Sequence, residues 1–318
     1  MNPLEITNAI LSFTERHGYI AKVVAMEHLK ELEDELILRK KIDNFDEAFY
    51  QERLTSFKFT LTTTLSESGS IIIIAVPQPK VLLIFNWQGE DYPVFIPPTY
   101  DISSNEKTKK ELEDILLPEG FTVEPTVLPL KLLAVRSGLA EYGRNNICYI
   151  PGKGSFYRLM AFFSNLPCLE DSWRPVCMMN RCNSCNACVR ACPTGAIDER
   201  RFLLHAELCL SFHNEHSGDF PDFIDPSVHH CLFGCLRCQD VCPENKKLSW
   251  IKEKESFLED ETTFILNNNP FNDIPYSTRQ KLERLCLIDD YPLLSRNLSL
   301  VLKRKKSMKM SFAVRKGQ

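Results

Sequence analysis

Nine of the thirteen cysteines fall between Cys182 and Cys242, and their spacing carries the chemical content of the chain. The first run reads Cys182-x-x-Cys185-x-x-Cys188-x-x-x-Cys192-Pro193 and the second Cys235-x-x-Cys238-x-x-x-Cys242-Pro243. A cube of four irons and four sulfides needs four thiolates disposed tetrahedrally around it. Two-residue gaps let one tight loop offer three sulfurs to three irons. The next cysteine sits on a following turn and points elsewhere, and the proline after it stops that turn from continuing. Where two such runs occur in one chain, the last cysteine of each serves the cluster of the other. The expectation is therefore two 4Fe–4S clusters. One takes Cys182, Cys185, Cys188 and Cys242. The other takes Cys192, Cys235, Cys238 and a fourth thiolate that the second run lacks, from Cys209 or Cys231. A lone C-x-x-C would suit zinc equally, but zinc requires neither the Cys-Pro ending nor a reciprocal fourth ligand. Cys148, Cys168, Cys177 and Cys286 read as ordinary buried thiols.

These residues need elements to position them. The 318 residues allow one large or two small domains, and a net charge of −4 gives no whole-chain attraction to nucleic acid or anionic membrane. Met1-Asn2-Pro3-Leu4-Glu5 lacks the basic and apolar segments of a secretion signal, so reduced thiols in a cytoplasmic protein are expected rather than a disulfide framework. The longest apolar runs, 71–76 and 81–85, are far too short to cross a bilayer and read as buried strands, so no membrane contact is expected. Asn2, Pro3 and Glu5 cap a first helix that His17-Gly18 closes. A second helical stretch covers 26–54, with a break near Asp43-Asn44. Alternation at 57–61 and β-branching at 71–74 predict strands. Ser103 with Glu106 forms a capping box for a helix through Leu117, and 146–150 reads as another strand. Residues 1–165 thus read as an α+β domain, 166–250 as a loop-rich cysteine region and 251–318 as helical. The basic tail of Lys303, Arg304, Lys305, Lys306, Lys309, Arg315 and Lys316 reads as a solvated terminus in preference to an RNA-phosphate contact.

A family resemblance rests on five segments. They are Arg136-Ser137-Gly138-Leu139-Ala140-Glu141-Tyr142-Gly143-Arg144-Asn145-Asn146, Gly154-Ser155-Phe156, Cys192-Pro193-Thr194-Gly195-Ala196-Ile197, Cys209-Leu210-Ser211-Phe212 and the stretch from Gly234 through Cys242 to Asn245. Together they resemble the epoxyqueuosine reductases, cobalamin-dependent iron–sulfur enzymes of tRNA queuosine synthesis. The likeness is good over 123–247, faint before 71 and weak after 250. It implies a nitroreductase-like α+β domain that binds the corrinoid, followed by a bacterial-ferredoxin-like double-cluster module. It also implies an electron donor such as ferredoxin or flavodoxin, and tRNA as substrate. Corrinoid contacts carry over onto Gly138, Tyr142, Gly143, Arg144, Asn145 and Ser155, with Phe156 and Tyr157 as further aromatic candidates. The isolated Cys-x-Ser-aromatic segment of the family selects Cys209 over Cys231.

The departures are specific. Ala140 replaces a family glycine, and Arg144 replaces a lysine, keeping the charge but not the donor geometry. Where the family has a proton-donating aspartate fourteen residues before its first glycine, this chain has Glu124, followed by Pro125. The helical repeats that many members carry at the C-terminus are not evident. These differences leave room for a rival, an electron-transfer protein that reduces a partner's corrinoid or other redox centre. Reductive dehalogenation, the chemistry of more distant relatives, is disfavoured because their usual export signal is not seen. His213, His216, His229 and His230 flank the second run and read as loop hydrogen-bonders rather than ligands. Gly152-Lys153-Gly154-Ser155 lacks the upstream glycine of a phosphate loop, and no G-x-G-x-x-G marks a nicotinamide site.

Overall fold

The computed structural model describes residues 1–43, 45–61, 65, 68–97, 102–245 and 251–316, with side chains at all of these except 252–254 and 305–316. A four-stranded antiparallel sheet lies at its centre, in the order β1 (Ile20–Ala25), β2 (Ser70–Pro77), β8 (Tyr157–Ser164), β5 (Glu124–Pro125). Residues 71–76 are apolar without interruption because both faces of this sheet are covered. Ile71, Ile73 and Ala75 pack toward α2 (Leu29–Asp43) and α5 (Leu130–Arg136); Ile72, Ile74 and Val76 pack toward α1 (Pro3–Arg16) and α4 (Ser103–Leu116). The α1 caps are those expected: Asn2 and Glu5 exchange side chain–backbone hydrogen bonds of 2.9 Å, and Gly18 follows the helix at φ +72°.

A second sheet holds β4 (Glu90–Ile96), β3 (Lys80–Trp87) and β9 (Ile251–Phe257), with β3 antiparallel to β4 and parallel to β9. Against it pack α9 (Glu259–Leu266), α10 (Tyr276–Arg284) and α11 (Tyr291–Lys316), together with Leu232 and Phe233 from the cysteine region. The last part of the chain is thus not helical throughout: 251–257 is a strand whose Phe257 ring stacks on Phe85 at 4.7 Å. Beyond Arg304 the side chains of the basic tail lie outside the described residues.

Of four further expectations, three change and the helix break near Asp43 holds. Residues 57–61 form no strand; Lys58 donates a single backbone hydrogen bond to Val127. The helix at 103 begins with Ser103 itself, so the cap falls on Ile102, whose side chain has no oxygen to offer, and the capping box does not form. Between α2 and α3 (Glu47–Arg53) the break comes where Asp46 caps the new helix by accepting from the Phe49 amide at 2.8 Å; Asn44 lies outside the described residues. Of 146–150, only Cys148–Tyr149 forms a strand, β7, which pairs with β6 (Glu141–Tyr142) in a small hairpin.

The cysteine region lies between β8 and β9 and is tied to both sheets and to the β6–β7 hairpin, Asp171 accepting from the Ala25 amide of β1 at 3.0 Å. Leu232 donates to the Phe95 carbonyl, Met179 to that of Tyr142, and Lys80 Nζ reaches Asp240 Oδ1 at 2.7 Å. Its short helices α6 (Ala187–Ala191) and α8 (Arg237–Asp240) pack on each other, which brings the ends of the two cysteine runs together.

Candidate metal-cluster and cofactor site

Cys182 and Cys185 come from the turn leading into α6, Cys188 from its first turn, and Cys242 from the turn after α8. All four line one narrow cavity together with Arg144, Tyr149 and Met179. The Arg144 amide donates to Cys182 Sγ at 3.4 Å, and its guanidinium donates to the Cys182 and Glu199 carbonyls at 2.7 and 3.1 Å. Burial raises the Cys182 thiol and pushes Cys188 up to about 11. These thiols stay protonated at neutral pH until a metal takes the proton's place.

Cys192 ends α6, Cys209 caps α7 (Leu210–Asn214), and Cys235 and Cys238 begin and occupy the α8 turn. These four share the wall of a much larger cavity of about 430 Å³. Burial again dominates their chemistry, raising Cys209, pushing Cys235 up to about 12 and lifting Cys238 well above the ordinary thiol value. Cys231 is elsewhere. It is 1% exposed, packs among Phe95, Phe156 and Leu236, and is not on the cavity wall. Among the described residues no three His, Cys, Asp or Glu side chains converge as a single-ion site would require. Four thiols ranged around a cavity, with no imidazole among them, suit a cube that presents one iron to each thiolate better than one tetrahedral zinc.

The opposite wall of the large cavity belongs to the sheet domain: Leu130 and Lys131 of α5, Ser155, Tyr157 and Arg158. Ser155 is held by its neighbours, donating from Oγ to Gln239 Oε1 at 2.8 Å and from its amide to Asn245 Oδ1 at 2.9 Å. A second cavity of about 400 Å³ shares Leu130, Lys131 and Leu204 with the first. Tyr142 lines that second cavity, edge-on to Phe202 at 5.3 Å, and burial pushes its hydroxyl well up. Asn145 alone of the six expected corrinoid contacts lines both the large cavity and the narrow one, while Arg144 faces the narrow cavity only. Gly143 lies against the Tyr149 ring, and Gly138, at φ +76°, ends the α5 segment beside Ser172; neither is on the large cavity's wall. Glu124 sits in β5 opposite Phe163, also away from these walls.

Sequence reasoning missed Lys131 and Tyr149, which carry no motif. Asn245, at the end of the second cysteine run, owes its part to its bonds with Ser155. Three of the four histidines hydrogen-bond as expected: His213 to the Glu207 carbonyl, His216 to the Phe212 carbonyl and the Glu52 carboxylate, and His230 to the Val228 carbonyl; His229 instead is 1% exposed with neither ring nitrogen hydrogen-bonded, and none of the four lines the large cavity. Residues 152–154 form a tight turn, closed by Ile150–Gly154 backbone hydrogen bonds.

Residues 181–245 match the family model described as a 4Fe-4S double cluster binding domain. In solved structures, the chain matches an epoxyqueuosine reductase bound to an epoxyqueuosine-modified tRNA-Tyr stem loop with a TM-score of 0.69 at 22% identity, over 95% of this chain and 82% of that one. The chain has the epoxyqueuosine reductase fold. The Streptococcus thermophilus epoxyqueuosine reductase matches with a TM-score of 0.65 at 20% identity, over 98% of this chain and 85% of that one. In sequence, the epoxyqueuosine reductase of Bacillus subtilis is 26% identical over 77% of this chain, and that of Cyclobacterium marinum 34% identical over 39%. The chain spans 65% of the former's length and 39% of the latter's. No described helix is long and apolar enough to cross a membrane.

Proposed function

We propose that this chain is a double-cluster, corrinoid-dependent reductase that converts epoxyqueuosine to queuosine in tRNA. The observation that carries the reading is the shared cavity: one thiol shell, Cys192, Cys209, Cys235 and Cys238, opens directly onto a largely apolar space whose other wall is the sheet domain. A redox group placed there is separated from the shell by no other protein layer. The second shell, Cys182, Cys185, Cys188 and Cys242, lines the separate narrow cavity, where an external donor such as ferredoxin or flavodoxin would deliver electrons. The likeness to epoxyqueuosine reductases in fold and sequence supports the choice of substrate class.

Leu130, Lys131, Ser155, Tyr157 and Asn145 would hold the corrinoid, which when bound supplies a cobalt centre able to take the electrons and pass them to the substrate. The protein's own residues exclude water and fix the walls. Leu130 and Tyr157 supply apolar surface, and Ser155 is locked by Gln239 and Asn245 so that its position cannot drift. Lys131 Nζ donates to the Asn146 carbonyl at 3.2 Å, placing a cation between the two cavities. Glu124 would act as proton donor only if its segment moves toward the cavity. One structure of the Bacillus subtilis enzyme has its catalytic aspartate loop swung out of the active site, which supports such a motion here.

Anaerobic purification tests the reading. About eight irons per chain, four for each cube, with stoichiometric binding of added cobalamin are expected. Loss of queuosine from the tRNA of a deletion strain, restored by this chain, tests the substrate. Eight irons with no affinity for cobalamin would leave an electron carrier and overturn the reductase reading. Glu124→Gln is expected to abolish turnover while sparing cobalamin binding.

A further inference from the structure

The two thiol shells are joined by two side chains that neither shell requires as ligands. Asn145 and Tyr149 lie on the hairpin of β6 and β7, and each is only 2% exposed. The Asn145 amide is fully oriented. Its Oδ1 accepts from the Ile147 amide at 3.4 Å, which leaves Nδ2 with two hydrogens to donate. One goes to the Tyr149 hydroxyl at 2.9 Å, and Asn145 shares the wall of the large cavity with Cys238. Accepting from Asn145 leaves the Tyr149 hydroxyl hydrogen to donate, and Tyr149 packs in one cluster with Cys182 and Cys242 on the wall of the narrow cavity. Gly143 permits this closeness: a Cβ there would lie 2.5 Å from Asn145 Oδ1 and 2.6 Å from the Tyr149 ring.

We propose that Asn145 and Tyr149 form a hydrogen-bonded bridge between the two clusters, donating to one thiolate of each and so setting both reduction potentials from one point. The proposal rests on the ligand grouping above, with Cys242 and Cys238 in different shells. Hydrogen bonds to cluster sulfurs favour the reduced, more negative cluster and raise its potential. Losing one such bond lowers the potential of the cluster it serves and leaves the other unchanged. The residues position charge and are not catalytic.

The test is an anaerobic redox titration of the loaded full-length protein, read by electron paramagnetic resonance, with iron counted in each sample. Tyr149→Phe keeps the ring and deletes the donor. It is expected to weaken reduction of one cluster about fivefold, close to 40 mV for a one-electron couple at about 59 mV per decade. Asn145→Ala removes the donor to Cys238 and the support of Tyr149, so both clusters are expected to move. Two potentials matching wild type in Tyr149→Phe, at full iron content, would overturn the bridge. If instead wild type itself holds fewer than about eight irons, or Cys242→Ser and Cys238→Ser deplete the same cluster, the ligand grouping fails, and the two failures are told apart. If Asn145→Ala fails to load iron, Tyr149→Phe alone decides.

Discussion

Substituting Gly143 by alanine puts the tightest contact of the site under load. The new Cβ would stand 2.6 Å from Tyr149 Cε2 and 3.1 Å from its Cδ2. Carbon pairs settle at about 3.5–4.0 Å, so the ring must retreat by about 1 Å. It has little room: Tyr149 is packed against Met179 and Cys182, and its hydroxyl is held by Asn145. Overpacking of this kind costs about 1–3 kcal/mol, and losing the Asn145–Tyr149 hydrogen bond adds about 1 kcal/mol. With a urea slope near 3 kcal/mol/M, the apparent midpoint for loss of cluster absorbance should fall by about 1 M. A cluster-bearing chain of this size need not unfold in two states, so midpoints are compared rather than converted to stabilities. Gly152→Ala is the control, because that residue has φ +70° with nothing within 4 Å of the added atom. It carries only left-handed strain, about 1–2 kcal/mol, and no effect on the clusters. A Gly143→Ala protein with full iron and a midpoint no lower than that of Gly152→Ala would show that the hairpin yields without disturbing Asn145 and Tyr149, and the steric reasoning would be wrong.

Cys209→Ser should halve the iron content or convert one cluster, whereas Cys231→Ser should keep about eight irons and lose only about 1 kcal/mol of packing; iron analysis giving the reverse pattern would reassign the ligand. Lys80→Met deletes the 2.7 Å link from β3 to Asp240 at the α8 turn; since the Asp240 side chain is 42% exposed and can be rehydrated, a loss of about 1–2 kcal/mol is expected, and an unchanged urea midpoint would refute it. His229 is held down to about 4 by burial, with Arg296, His230 and Arg304 adding repulsion. The unfolded chain therefore takes up a proton near 6.5 that the folded one refuses. Stability contributed by the neutral imidazole is complete above pH 6.5 and is lost as the pH falls toward 4, on the order of 1.4 kcal/mol per unit. His229→Gln should flatten this part of the pH profile relative to wild type, and identical profiles would exclude the assignment.

The features legible in the sequence are those set by neighbours in the chain. The cysteine runs that the 4Fe-4S double cluster binding domain covers, the Asn2–Glu5 capping pair and the apolar run at 71–76 each depend on a few adjacent residues; the pair caps its helix and the run is a buried strand, as expected. What escaped depends on partners far away. Ile251-Lys252-Glu253-Lys254-Glu255 carries helix-forming charged residues, yet it is a strand because the open edge of β3 is there to receive it. The Arg144 guanidinium reaches the carbonyls of Cys182 and Glu199, 38 and 55 residues further along, contacts that nothing in its own segment announces. Tyr149 is unremarkable in sequence and gains its place only when the second run folds back beneath the first.

The pairing of β9 with β3 has a mechanical consequence. The cysteine-rich segment leaves the protein from one sheet at β8 and re-enters the other at β9, so it is anchored at both ends like a handle. A module hung from a single linker could swing toward an electron donor and back. One fastened at both ends keeps its metal at a constant remove from the cavity, and electrons must cross a fixed gap rather than ride on a moving arm.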